Sequence, residues 1–272
     1  MGIKSVLDTW FWKRPWRPNA NAERTAELIL SEITIMGQGY CVIGLERVSP
    51  GSFRSVRPRP PRGFAWREPF HGKRGDSVLA HLTPVPGAKP PHTEDHQSQG
   101  LKKTDRTLDG AQLVSALKHA EVARGLEEMF GCAIVTQNSR GNGWIPSGQG
   151  SRSICGCEVK NIRFRIFEDP GRVSLRAQLV CPSGERLETL PVVDREWVAL
   201  LHRLMDHFKD QQAAFRAARF LNGPVRRELM NSPNLFARIG LARGMQDEKC
   251  WLMLDSLFPQ PKDSWFDMLK GE

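Results

Sequence analysis

The stretch VKNIRFRIFEDPGRVSLRAQLV, Val159 to Val180, decides how this chain is read. Its first half alternates: Ile162, Phe164 and Ile166 point one way, Arg163 and Arg165 the other, the period-two signature of a half-buried strand. Asp169-Pro170-Gly171 supplies turn residues, and VSLRAQLV returns as a second strand, so the segment is a β-hairpin. Just downstream, CPSGERLETLPVV from Cys181 adds a further turn and strand. Near the end, CWLMLDSLF from Cys250 is an apolar run of buried-strand length that closes this β block.

The flanking segments follow from their own periods. Asp194 to Phe220 carries Trp197, Leu200, Leu201, Leu204, Phe208 and Phe215 on one helical stripe, with Arg203, Lys209, Arg216 and Arg219 opposite. Asp109 to Met129 reads as a second helix through Leu113, Leu117 and Leu126, with Asp109 as cap and Gly131 as stop. Before it, YCVIGLERV from Tyr40 and SVLAHLTPV after Gly75-Asp76 are strand-like, and the proline-rich run 83–108 reads as a long polar loop. Asn21 to Glu32 predicts a short helix with Ala26, Ile29 and Leu30 on one side. Residues 1–19, with Trp10, Trp12 and Trp16 beside Lys13, Arg14 and Arg17, predict an extended arm, either a hydrophobic strap or a stacking element. The chain is therefore α+β: an arm and short helix (1–38), a β-rich module with its following helix (39–131), and a second β-rich module with a long helix and closing strand (132–272). Two small barrels and two small α+β modules both fit that order.

Charge narrows the function. The chain has 272 residues and a formal charge of +9, and residues 1–75 hold 13 Lys/Arg against 6 Asp/Glu, a net of +7. Between Phe53 and Gly75 lie Arg54, Arg57, Arg59, Arg62, Arg67, Lys73 and Arg74 with one acid, Glu68, and the rings of Phe53, Phe64, Trp66 and Phe70. Cations so crowded need an anion. A phosphodiester backbone supplies one, and interleaved rings stack on unpaired bases, which favours RNA or single strands over duplex DNA. The alternative is pairing by acids elsewhere in the fold. Pro58, Pro60 and Pro61 place this stretch in loop and edge. Arg54, Arg57, Arg59, Arg62, Lys73 and Arg74 are the candidate backbone contacts, with Phe64 and Trp66 for stacking.

Other motifs are sparser. Arg140 to Arg152, RGNGWIPSGQGSR, is glycine-rich and ends in arginines, so it reads as a phosphate cradle or a mobile hairpin loop, without the Lys-Ser/Thr step of a nucleotide loop. His92-Thr93-Glu94-Asp95-His96 is the densest titratable run. It would bind metal only on a helix, which Pro90-Pro91 opposes; general acid–base work and a polar, turn-capping loop are the other readings. Cys155-Gly-Cys157 lacks a second pair, so the six cysteines read as buried thiols of a reducing cytosol, with no metal and no cofactor. No run of about 18 apolar residues exists to span a membrane. The cytoplasm is the expected location.

On Cys41-Val-Ile-Gly44, Val56-Arg57-Pro58, Gly75-Asp76, Pro91-His92-Thr93-Glu94-Asp95, GERLETLPVVD and CWLML, the chain resembles the dual oligonucleotide/oligosaccharide-binding (OB) domain family of prokaryotes across about residues 40–265. That resemblance implies tandem small barrels of OB type in a nucleic-acid-binding protein, a subunit of a defence-type ribonucleoprotein with other protein subunits as partners. Size and charge also resemble CRISPR repeat-processing endonucleases on tandem ferredoxin-like modules, with RIGLARG (Arg238 to Gly244) echoing their glycine-rich loop. That resemblance implies a metal-independent endoribonuclease, with His71 and His81 as the candidate catalytic groups and Arg238 and Arg243 on phosphates. Arg163 and Arg165 on the hairpin complete the candidate contacts. A third class, a protein-binding scaffold, rests on the tryptophan arm and the FPQPKDSWFDML tail (Phe258 to Leu269).

Overall fold

The computed structural model describes residues 23–67, 70–136, 142–244 and 248–271. The tryptophan arm and Arg140 lie outside the described residues. Strand outweighs helix, 45% against 22%, so the chain is a β-rich α+β protein. No helix among the described residues is long and apolar enough to cross a membrane.

Five strands form a closed ring of pairings in the first half. β1 (Arg24–Met36) pairs antiparallel with both β2 (Gly39–Ser49) and, through its first residues, β5 (Asp76–Pro84). β2 continues to β3 (Ser52–Arg59), β3 runs parallel to the short β6 (Asp95–Gln97), and β6 returns to β5. β4 (Trp66–Arg67) adds to β2 and β7 (Leu101–Thr107) to β5. Ala26, Leu28, Leu30, Val42, Val56, Val78, Ala80 and Leu82 fill the interior.

Three expectations change here. The helix expected over Asn21–Glu32 is instead strand β1. Ala26, Ile29 and Leu30 fit a helical face, but Ala26, Leu28 and Leu30 fit period two equally well, and pairing on both edges decides for strand. The run 83–108 contributes β6 and β7 rather than one loop. Pro58 lies inside the sheet. Pairing of β2 with β3 reaches only Gly44–Val56, so the donor that proline lacks has no partner to lose on that side, while Arg57 N donates to Glu94 O on the other.

α1 (Gly110–Leu117) and α2 (Leu126–Met129) lead into the second half. α1 carries a capping box between Asp109 and Gln112, and it stops at Leu117 instead of running to Met129. β8 (Val135–Thr136) and β9 (Gly143–Pro146) precede β10 (Ile154–Glu158) and the hairpin of β11 (Asn161–Asp169) and β12 (Arg172–Val180). β13 (Arg186–Pro191) follows, and β14 (Phe236–Leu241) with β15 (Lys249–Phe258) ends the sheet. β10 and β11 act as one bent strand, because Lys160 N donates to Val180 O across the junction. From it the order runs β11–β12–β13, then a parallel bridge from Val192 to Leu254 of β15, then β14, then back to β10. This is a second closed ring with the strand order of the first, including the parallel step between its third and fifth strands.

The second ring carries helices between its third and fourth strands. The expected helix Asp194–Phe220 is two: α3 (Arg195–Phe208), capped by the Asp194 carboxylate, and α4 (Ala213–Phe220), separated where Lys209 turns left-handed at φ 51°. A π-helical turn at Leu221–Val225, holding Pro224, leads to α5 (Arg226–Met230). The turn places Asn222 so that its amide bonds both Phe164 N and Phe164 O at 2.8 Å, while Arg226 Nε donates to Ile162 O at 2.8 Å. The otherwise open edge of β11 is thereby closed. Trp197, buried between Phe164 and Trp265, anchors the larger core.

Candidate nucleic-acid interface

The arginines expected to face a polyanion mostly meet carboxylates of the same chain. Arg24 and Arg54 clamp Glu46 from two sides, at 2.8 and 2.7 Å. Burial pushes the Glu46 carboxyl up, but the two guanidiniums outweigh it and hold it below its ordinary range. Arg57 is buried and donates to Asp95 Oδ1 (3.0 Å), His92 Nδ1 (3.2 Å) and Ser153 Oγ (3.0 Å). Arg59 and Arg243 both bind Asp95 Oδ2, so three guanidiniums surround one carboxylate. Arg74 reaches Asp194 at 2.6 Å. Arg238, fully buried, joins Glu32 (2.6 Å), Ser55 Oγ (2.5 Å) and the carbonyl of Glu121 (3.2 Å). Six candidate cations thus knit the two rings together or brace the first. Crowded cations did require anions, and Glu32, Glu46, Asp95 and Asp194 provide them.

The remaining candidates of this region separate. Arg62 and Lys73 are exposed. Phe64 is 48% exposed, but its ring already lies under Arg59 (4.1 Å) and Arg243 (4.5 Å). Trp66 is half-buried against the first core, and its indole N–H donates to Pro58 O at 2.9 Å.

In the His92–His96 run every residue but Thr93 is buried. Burial, reinforced by Arg57, pushes the His92 imidazole down to about 3. Glu94 accepts from Ser153 N (2.7 Å) and Oγ (2.9 Å), and burial raises its carboxyl. The two histidines turn to Arg57 and to Glu94 O, and among the described residues no three His, Cys, Asp or Glu side chains gather as a metal site. His81 pairs with Glu23 at 2.6 Å, and His71 is exposed in the run before β5. Among the described residues no hydrogen bond joins His81 to His71 or to an arginine of the cluster.

Two further regions carry cations at the surface. On the outer face of the second ring, Arg163 and Arg165 are exposed and form no ion pair among the described residues. Arg165 stands directly opposite Arg176 on β12, and Phe167, 42% exposed, follows on the same face. Glu188 on β13 is held by the amide of Gln178. The second region is a cleft of about 330 Å³ at the junction of the rings, with Arg54 on one wall and Arg152 on the other.

Sequence reasoning missed Arg176, Phe167 and the internal carboxylates. Arg176 was within reach, since folding the segment about Pro170-Gly171 sets it against Arg165. The Glu32–Arg238 pair spans 206 residues, and no local pattern announces it.

No protein-family model matches this chain, and no curated protein shows significant sequence similarity to it.

Proposed function

We propose that this protein binds nucleic acid, RNA or another single strand, on the outer face of β11–β13, and that both rings are barrels of OB type. The barrel reading is supported by five strands in Greek-key order, the fifth parallel to the third, occurring twice. The observation that carries the binding reading is that Arg163, Arg165 and Phe167 stand exposed on one solvent-facing sheet, the two arginines without an ion pair among the described residues. Barrels of this type use the face of strands two and three for oligonucleotides, and the second ring presents that face open. Guanidiniums bind phosphates bidentately, and an exposed phenyl ring stacks on a base without demanding its identity. No arrangement of His71 and His81 favours cleavage, so the reading is binding alone.

The test is fluorescence polarisation of a labelled 20-nucleotide RNA against the full chain at several salt concentrations. Two phosphate contacts to a single strand, from Arg163 and Arg165, predict a log–log salt slope near −1.4, about a sevenfold loss of affinity between 50 and 200 mM salt. Arg163→Glu with Arg165→Glu should lower affinity at least tenfold. Unchanged binding by that double variant overturns the reading.

A further inference from the structure

We infer that Arg226 of α5 is a phosphate contact at the edge of β11, sharing one backbone phosphate of a bound single strand with Arg163. The inference rests on the sheet-face reading above and carries it past the last strand onto the helices. Asn161 and Arg163 lie on the same outer face of β11, two residues and about 6.6 Å apart along the strand. Arg226 Nη2 donates to Asn161 Oδ1 at 2.8 Å and Nε to Ile162 O at 2.8 Å, so the guanidinium stands at the margin of that face, beside Arg163. Its Nη1 donates to no group among the described residues, and Arg226 joins no ion pair among them.

Closing a strand edge does not need a charge. One turn earlier, Asn222 satisfies Phe164 N and O with a neutral amide. At Ile162 the chain uses a guanidinium instead, held by two neutral acceptors that fix its fork and leave its charge unmatched. A half-buried cation without a counter-ion is costly, and an arriving phosphate lowers that cost. A guanidinium already fixed in place also spares the side-chain freedom that a mobile arginine loses on binding. The acids of the region do not cancel its field. From Lys160 to Pro191, with Arg226 added, there are 7 Lys/Arg against 4 Asp/Glu, a net of +3. Two of those acids, Glu168 and Asp169, belong to the far end of β11, roughly 23–26 Å along the strand from Asn161. At the near end, Lys160, Arg163, Arg186 and Arg226 outnumber Glu185 and Glu188. Glu185 accepts from Leu126 N and Ser183 Oγ, and Glu188 from the Gln178 amide. Beyond them, Glu158 pairs with Lys118 and Glu228 with Lys262.

Fluorescence polarisation of a labelled 20-nucleotide RNA against the full chain tests this. Arg226→Gln, which keeps a donor for Ile162 O, should weaken binding about fivefold at about 50 mM salt and less than about twofold at about 500 mM, because salt screens a charge effect and spares a packing effect. Arg226→Lys, which keeps the charge, should recover most of the loss. If Arg226→Lys binds as weakly as Arg226→Gln, or the loss is the same at both salt concentrations, Arg226 only closes the strand edge and the inference is overturned. A second measurement needs no destabilised variant to bind. The Arg226 Nε–H resonance of the parent chain, identified by its absence from Arg226→Lys, should shift when the RNA is added, and a resonance that stays in place overturns the inference. Arg163→Glu with Arg165→Glu tells the two readings apart. Loss of binding there, with Arg226→Gln like the parent, keeps the sheet face and strikes the edge contact. Unchanged binding in that double variant overturns the sheet face and the inference with it.

Discussion

The two rings share a strand order and use the same face in opposite ways. In the first ring the outer surface of β1–β3 is consumed by the molecule itself. Ile29, Leu45 and Phe53 lie against Leu113, Val114 and Leu117 of α1 and against Phe236 and Phe258 of the second ring, and Glu32, Ser55 and Arg57 on that face bond Arg238 and Ser153. In the second ring the outer surface of β11–β13 stays open, with Arg163, Arg165 and Phe167 in solvent. Topology therefore does not assign the face of a ring its use. The residues at outward positions do: Ile, Leu and Phe with paired charges build an internal joint, whereas unpaired arginines and an exposed ring leave a face for something else.

The largest effect should come from breaking the joint. Arg238 and Glu32 are both fully buried, and removing one partner strands the other without water. Arg238→Ala should destabilise the protein by about 3–5 kcal/mol, read from urea unfolding, and Glu32→Gln combined with Arg238→Met should recover part of that loss. A single-variant loss within about 0.5 kcal/mol would mean that the joint is peripheral and the comparison fails.

Next is pH. Asp255 is the extra residue of the bulge in β15, and its carboxyl fills the space that Gly240 leaves by lacking a side chain. Burial pushes its carboxyl up to about 7, with Glu32 and Asp194 adding to the rise and Arg57 and Arg238 opposing it. A folded value above the unfolded one means the folded state holds the proton more tightly. The stabilisation is complete below about pH 4 and is lost as pH rises through 7. The advantage of Asp255→Asn over the parent chain should therefore grow by about 2–3 kcal/mol from pH 5 to pH 8. A difference between the two proteins that does not change from pH 5 to 8 contradicts the assignment.

How much of this could be read beforehand depends on the range of the signal. The hairpin at 161–180 was legible because a turn and strict alternation sit within twenty residues, and because only one of its faces is buried. β1 was not, because a strand buried on both faces loses its alternation, and Ile29 beside Leu30 then mimics a helical pair. The arginine-rich run was legible as a need for anions and illegible as to their source. Asp95 lies 36 residues from Arg59 and Asp194 lies 120 from Arg74, and only the closed rings bring them together.

The open face should show its effect in binding and not in stability. Arg163→Glu with Arg165→Glu is expected to weaken RNA binding at least tenfold, about 1.4 kcal/mol, with unfolding unchanged within about 0.5 kcal/mol. Arg57→Glu at the corresponding face of the first ring should instead prevent folding, since it would set two acids together in a buried site beside Asp95. If Arg57→Glu folds normally, the two faces are not opposed in the way the geometry requires.

The smallest effect sharpens the contrast most, because it compares one exposed phenyl ring in each half. Phe64 and Phe167 are similarly exposed, at 48% and 42%, and a reading from exposure alone would rank them equal. Their surroundings differ. Phe64 already carries Arg59 and Arg243 within 4.5 Å of its ring centre, and both guanidiniums are tied to Asp95, so a base would have to displace an ion-pair network to stack there. Phe167 stands beyond Arg165 on an open strand, opposite the small Ser174. Stacking of a base on an aromatic side chain is worth about 1–3 kcal/mol, and a ring already partly covered by its own sheet sits at the low end. Phe167→Ala should therefore weaken binding of a labelled RNA about fivefold, and Phe64→Ala should leave it unchanged while lowering the urea midpoint slightly through the loosened arginines. The reverse pattern, with Phe64 controlling affinity and Phe167 silent, would move the interface to the first ring and return the arginine-rich run to the role its charge first implied.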